Sequence, residues 1–164
     1  MPLVFDHGGP PSLVVSRLDR ALTTFAEPPT ATLVLARLER AGGEYLLRWS
    51  NAGHPPPLLL DADGARFLSP DHHGIPVGVD PAFPRYDHEH RLSAGSTLLL
   101  FTDGLVERRD QDIGASLAAL AEQAVTLRDA PLERLRAELV TGRGQLFDDD
   151  VTLLALRVPD HRAR

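Results

Sequence analysis

Two short, almost unbroken apolar runs each abut an acidic turn. Thr97-Leu98-Leu99-Leu100-Phe101 runs into Thr102-Asp103-Gly104, and Asp148-Asp149-Asp150 leads into Val151-Thr152-Leu153-Leu154-Ala155-Leu156. Apolar runs this short, bounded by turn signals, read as buried strands. A carboxylate where a buried strand ends is held rigidly and stays open on one side. Two of them brought together form a hard oxygen site suited to Mg²⁺ or Mn²⁺. Each turn also reads as plain structure, because Asp-Gly commonly ends a strand and an acidic triplet is often only a solvated connector. Three consecutive carboxylates repel one another, which a nearby cation relieves.

The rest of the chain supplies further strands first and helices late. Residues 1–11 read as an irregular lead-in. From Ser12, Val14, Leu18, Leu22 and Phe25 recur at helical spacing, and Glu27-Pro28-Pro29 ends that helix. Thr32 to Leu38 and Tyr45 to Trp49 form a hairpin about a glycine turn. Leu58-Leu59-Leu60 and Arg66-Phe67-Leu68 form a second about Asp61-Ala62-Asp63-Gly64. Residues 69–85 read as a long loop, and Tyr86 to Leu92 as a half-exposed strand. Ile113, Leu117, Leu120 and Ala124 share one face of a helix, and Leu132, Leu135 and Leu139 share a face of another. Many antiparallel strands with helices grouped in sequence predict an α+β fold in layers, with helices covering the sheets.

Composition narrows the chemistry. The 164 residues fit one domain, expected over residues 12–158 with a short tail at 159–164. There is no cysteine, so thiolate nucleophiles, disulfides and cysteine-bound zinc are all excluded. A net charge of -6 argues against nucleic acid as the main partner. No apolar run approaches the length of a membrane span, and Met1-Pro2-Leu3-Val4-Phe5 lacks the features of a signal peptide. No membrane association is expected, and a cytoplasmic location is.

Three other segments carry alternatives. Asn51-Ala52-Gly53-His54-Pro55-Pro56-Pro57 reads either as a tight connector or as a loop placing Asn51 or His54 beside a phosphate. Gly74-Ile75-Pro76-Val77-Gly78 is either a structural loop or a set of amides open to an anion. His72-His73 and His88-Glu89-His90 have a spacing that zinc can use, but read better as surface histidines.

Asn51 to Leu59, Gly74 to Gly78, Leu98 to Glu107 and Asp149 to Leu154 occur together in a known order and spacing. With these four segments the chain resembles the SpoIIE/RsbU-type branch of the metal-dependent protein serine/threonine phosphatases, the PPM superfamily, from about Pro11 to Val158. The resemblance implies a β-sandwich of two antiparallel sheets flanked by helices, in αββα layers. It implies Mn²⁺ or Mg²⁺ at one end of the sandwich, where the ions position and deprotonate a water for in-line attack on a phosphoserine or phosphothreonine. Asp103 matches the metal-binding aspartate of the Thr-Asp-Gly motif, and Asp149 that of the terminal Asp-Asp-x-Thr motif, with Asp150 beside it. Asp103 and Asp149 are the catalytic expectation, and Asp103, Asp149 and Asp150 the metal ligands. The implied partner is a phosphoprotein, typically a STAS-type anti-anti-sigma factor in bacterial sigma-factor control. Asn51 to Pro57 then becomes mainly scaffold.

The chain also departs from the family pattern. Relatives carry an upstream strand pair with an Asp-x-x-Asp-Gly-type bridging aspartate, then a Gly-Asp-Val-x-Gly-His-Gly turn and a long helix. Asp6-His7-Gly8-Gly9 faintly resembles that turn and reads as a chance echo or the scar of a deletion. The expected outcome is an N-terminally shortened domain with weak or no turnover and at most one weak metal site. The alternative is a catalytically impaired relative acting as a protein-binding module in partner switching. Missing strands would leave a sheet edge exposed, which predicts homodimerisation or edge pairing.

Overall fold

The computed structural model describes residues 9–42, 44–69, 72, 74–107, 112–142 and 150–159. Along the chain run α1 (Pro11–Leu22), β1 (Leu33–Ala41), β2 (Glu44–Ala52), β3 (Leu58–Asp61), β4 (Gly64–Phe67), β5 (His88–Leu92) and β6 (Thr97–Phe101). A 3₁₀ turn (Asp103–Leu105), α2 (Ile113–Thr126), α3 (Leu132–Thr141) and β7 (Leu153–Arg157) follow. They fall into two compact units, Met1–His54 with Pro70–Leu92, and Pro55–Ser69 with Ser93–Arg164. The predicted α+β class, with antiparallel sheets and the helices mostly late in the chain, is what forms.

In the first unit, β1 and β2 form a hairpin in register from Leu33↔Ala52 to Ala41↔Glu44, and β5 pairs on the other side of β2. α1 starts at a proline, which the first turn of a helix tolerates because its N–H has no intrahelical partner. No side-chain cap comes from the preceding Pro10; Asp87 instead accepts the Ser12 N–H at 2.8 Å. The helix differs from its sequence reading. It stops at Leu22, Phe25 is 58% exposed, and the residues it buries are Pro11, Val15 and Asp19. The inward stripe is therefore turned one position from Val14 and Leu18. Val15 packs with Ala52 and Val77, supported by Leu22, Leu33 and Leu35. The rotation has an electrostatic reason: Asp19 is drawn inward by a buried arginine.

In the second unit the strand order is β4-β3-β6-β7, all antiparallel. One face of the sheet presents Leu58, Leu60, Leu99 and Phe101 to Leu120, Ala124, Leu135 and Leu139 of the two helices. These side chains are almost wholly buried, so each leucine and phenylalanine contributes roughly 1.5–3 kcal/mol of apolar transfer. Asp112 caps α2, its carboxylate accepting the Ala115 N–H at 3.1 Å. Ile113, expected on the core face, is half exposed, and Ser116 is buried on that face instead. Arg157 ties the α2–α3 connection to the sheet, donating to the Arg128 and Ala130 carbonyls at 2.7 and 2.9 Å and to Thr97 Oγ1 at 2.9 Å. Among the described residues β7 is an outer strand. No helix among the described residues is long and apolar enough to cross a membrane.

Candidate functional site

The buried strand β6 ends at Phe101, and the chain turns at once. Thr102 is extended, and its carbonyl accepts the Leu105 N–H at 3.0 Å. The Asp103 carbonyl accepts the N–H groups of Val106 and Glu107 at 2.8 and 2.7 Å. Leu105 and Val106 are buried and anchor the turn from below. Asp103 itself is exposed, and its Oδ1 accepts the Gly104 N–H at 3.0 Å. A carboxylate thus stands at the surface on backbone that has little freedom to move.

The second acidic turn arrives beside it. The Thr102 N–H donates to the Thr152 carbonyl at 3.0 Å, and the Thr152 N–H donates to Thr102 Oγ1 at 2.9 Å. The Thr102 hydroxyl donates to the Asp150 carbonyl at 3.1 Å. Asp150 is exposed, like Asp103. Two of the three expected ligand positions are therefore brought to one end of one sheet. Asp148 and Asp149 lie outside the described residues, as does Asp6-His7-Gly8. Among the described residues no group of three or more His, Asp or Glu side chains gathers as a metal cluster. The donor chemistry fits Mg²⁺ or Mn²⁺, since Asp103 and Asp150, exposed carboxylates on fixed backbone, would offer a hard cation oxygen ligands.

The other motifs turn out to lock backbone to backbone. Asn51 Oδ1 accepts the His54 N–H and Asn51 Nδ2 donates to the His54 carbonyl, each at 2.8 Å. Both ends of the Asn51 amide are thereby used in holding its own loop. Gly74 lies directly against that loop, and a methyl group there would collide with the Asn51 carbonyl oxygen. Gly78 has φ +83°, and a methyl group there would strike the Pro29 carbonyl. Its N–H donates to Asp19 Oδ1 at 2.8 Å, while the Val77 N–H donates to the Ala31 carbonyl at 2.9 Å. These two amides are spent on protein acceptors, which removes them from the anion-binding alternative. The His54 ring lies with Nδ1 3.3 Å from Thr32 Oγ1.

One buried pair was missed in the sequence. Arg85 Nη2 meets Asp19 Oδ2 at 2.5 Å, with 0% and 1% of the two side chains exposed. Arg85 also donates to the carbonyls of Ile75 and Pro76. Only the Asp at four residues past Val15 on the helix could have signalled it. Of the histidines in the zinc alternative, His72 stacks on Tyr86 with centroids 4.4 Å apart and the His88 ring lies 5.4 Å from Trp49, while His73 lies outside the described residues.

The family model of Stage II sporulation protein E, SpoIIE, matches residues 3–159, the whole span of these motifs. The chain belongs to the SpoIIE family. That match takes in the Asp6-His7-Gly8-Gly9 lead-in as well. Among solved structures, the SpoIIE-family chain is similar to the RsbU and RsbW domains of Rv1364c from Mycobacterium tuberculosis, at 33% identity and a TM-score of 0.78. That likeness covers 93% of this chain and 43% of that one. It is similar in fold to the PP2C phosphatase domain with a regulatory fragment of SpoIIE from Bacillus subtilis, at 17% identity and TM-score 0.74, over 94% of this chain and 46% of that one. The SiaA PP2C domain of Pseudomonas aeruginosa gives 20% identity and TM-score 0.71, over 90% and 60%. The chain thus spans less than half the length of the first two. Its antiparallel sheets and helices form a PP2C-phosphatase fold.

Proposed function

We propose that this SpoIIE-family domain is a metal-dependent protein phosphatase unit acting on phosphoserine or phosphothreonine of a partner protein in the cytoplasm. The observation that carries the reading is the meeting of the Asp103 and Asp150 turns through Thr102. Asp103, Asp149 and Asp150 are the proposed ligands, with Asp103 and Asp149 the pair on which catalysis depends. Mn²⁺ or Mg²⁺, when bound, supplies a Lewis acid that activates water and offsets charge on the phosphoryl oxygens. Asp103 and Asp150 would hold the cation at the sheet end, where both are exposed. The proposed substrate is a phosphorylated STAS-type anti-anti-sigma factor; support for it comes from membership in the family and from the RsbU domain similarity.

The second reading is a protein-binding module in partner switching. Its support is the similarity to a chain that carries an RsbU and an RsbW domain together. Self-association through a sheet edge belongs to either reading. Its support is that β7 ends its sheet and that Leu154 and Leu156 are 56% and 38% exposed there.

Calorimetric titration with Mn²⁺ of the chain and of Asp103→Asn tests the metal reading. Binding by the parent that disappears in the variant supports it, and no binding by the parent sinks it. Phosphate release from the phosphorylated partner in Mn²⁺ then separates the phosphatase from the binding module.

A further inference from the structure

β6 and β7 keep ladder register up to Phe101↔Leu153. One residue further the pattern changes. The Thr102 N–H still donates to the Thr152 carbonyl. In an antiparallel hydrogen-bonded pair the return bond runs from the Thr152 N–H to the Thr102 carbonyl. That carbonyl is already engaged, because it accepts the Leu105 N–H at 3.0 Å and closes the turn presenting Asp103. The Thr102 hydroxyl takes its place. Oγ1 accepts the Thr152 N–H at 2.9 Å and passes its own proton toward the Asp150 carbonyl at 3.1 Å.

One residue thus serves both acidic turns. Its carbonyl shapes the turn of Asp103, and its hydroxyl satisfies two backbone groups of the segment carrying Asp150. An oxygen on Cβ is required for the second task. Valine has the same shape but leaves the Thr152 N–H and the Asp150 carbonyl without that bond, and water would have to enter or the segment shift.

We propose that Thr102 is a positioning residue whose hydroxyl sets the spacing of the Asp103 and Asp150 turns, and with it the cation affinity of the site. The inference rests on the metal reading proposed above. Groups that orient metal ligands typically change affinity by about 10–100-fold when removed.

The test compares the full chain with Thr102→Ser and Thr102→Val, using Mn²⁺ calorimetry and amide hydrogen exchange at Thr152. Leu60→Ala, a core truncation at the far end of the same sheet, serves as the control for general loss of stability. The expected result is that Thr102→Val loses Mn²⁺ affinity by about 10–100-fold and exchanges its Thr152 amide faster. Thr102→Ser keeps both, and Leu60→Ala lowers the melting temperature with Mn²⁺ affinity intact. Equal affinity in the parent and Thr102→Val overturns the positioning role while leaving the metal site standing. An equal loss in Thr102→Val and Leu60→Ala also overturns it, since the effect would then follow stability. No Mn²⁺ binding by the parent removes the metal reading and this inference together. Should Thr102→Val not fold, Thr102→Ala, with less bulk to misplace, is held to the same outcomes.

Discussion

The carboxylate of Asp19 and the guanidinium of Arg85 meet at 2.5 Å in an interior that water does not reach. Asp19 gives its other oxygen to the Gly78 N–H at 2.8 Å, and Arg85 spends further protons on the Ile75 and Pro76 carbonyls. Helix α1 and the Gly74–Gly78 loop are joined through this pair. The pair also explains why that loop keeps its shape without regular secondary structure.

Removing one partner strands a buried charge. Asp19→Ala is expected to cost about 3–5 kcal/mol, read as a lower midpoint in urea unfolding. Replacing both, as Asp19→Leu with Arg85→Met, should recover much of that loss because no uncompensated charge remains. A double variant no more stable than Asp19→Ala would show that the pair is not acting as a unit.

Gly78 has two independent reasons to stay glycine: a positive φ of 83° and the Pro29 carbonyl where a side chain would begin. Gly78→Ala should therefore destabilise by more than the roughly 1 kcal/mol that backbone strain alone costs. Gly42, at φ +60° with open space around it, is the comparison. Thermal melts of both variants that matched would refute the steric part of the account.

At the acidic end, Asp150→Asn should weaken Mn²⁺ binding by at least about tenfold while leaving the melting temperature within a few degrees, since Asp150 is exposed. A large fall in stability with unchanged binding would mark Asp150 as structural.

The edge of β7 carries a prediction about assembly. Leu154→Lys places a charge on the outer strand at a side chain 56% exposed. Sedimentation velocity across a concentration series should show a concentration-dependent larger species for the parent and only monomer for the variant. A parent that stays monomeric throughout ends the edge-pairing idea.

Core packing gives the plainest case. Leu135 is fully buried against the sheet, so Leu135→Ala should cost about 2–5 kcal/mol. A change below 1 kcal/mol would mean the helix can close over the cavity.

Much of this architecture was legible because its signals are local. Thr97 to Phe101 is apolar from end to end, the two hairpins carry glycine turns, and Leu135 and Leu139 lie one helical turn apart. Such patterns depend on neighbours a few residues away. The errors fell where a distant partner overrode the local pattern. The stripe of Val14, Leu18 and Phe25 gave way to Val15 and Asp19 because a charged residue is inside when its counter-charge is, and no periodicity rule counts an aspartate as core.

By itself the sequence determined the elements, their order, the α+β class and the acidic character of two strand ends. It also supplied the motifs through which the SpoIIE family is recognised. Only the tertiary structure decided what those residues touch. Arg85 finds Asp19 across 66 residues, and Thr152 finds Thr102 across 50. Each is a polar group whose cost of burial or misalignment depends on whether a partner arrives. That is settled by the packing of the chain, not by its local pattern.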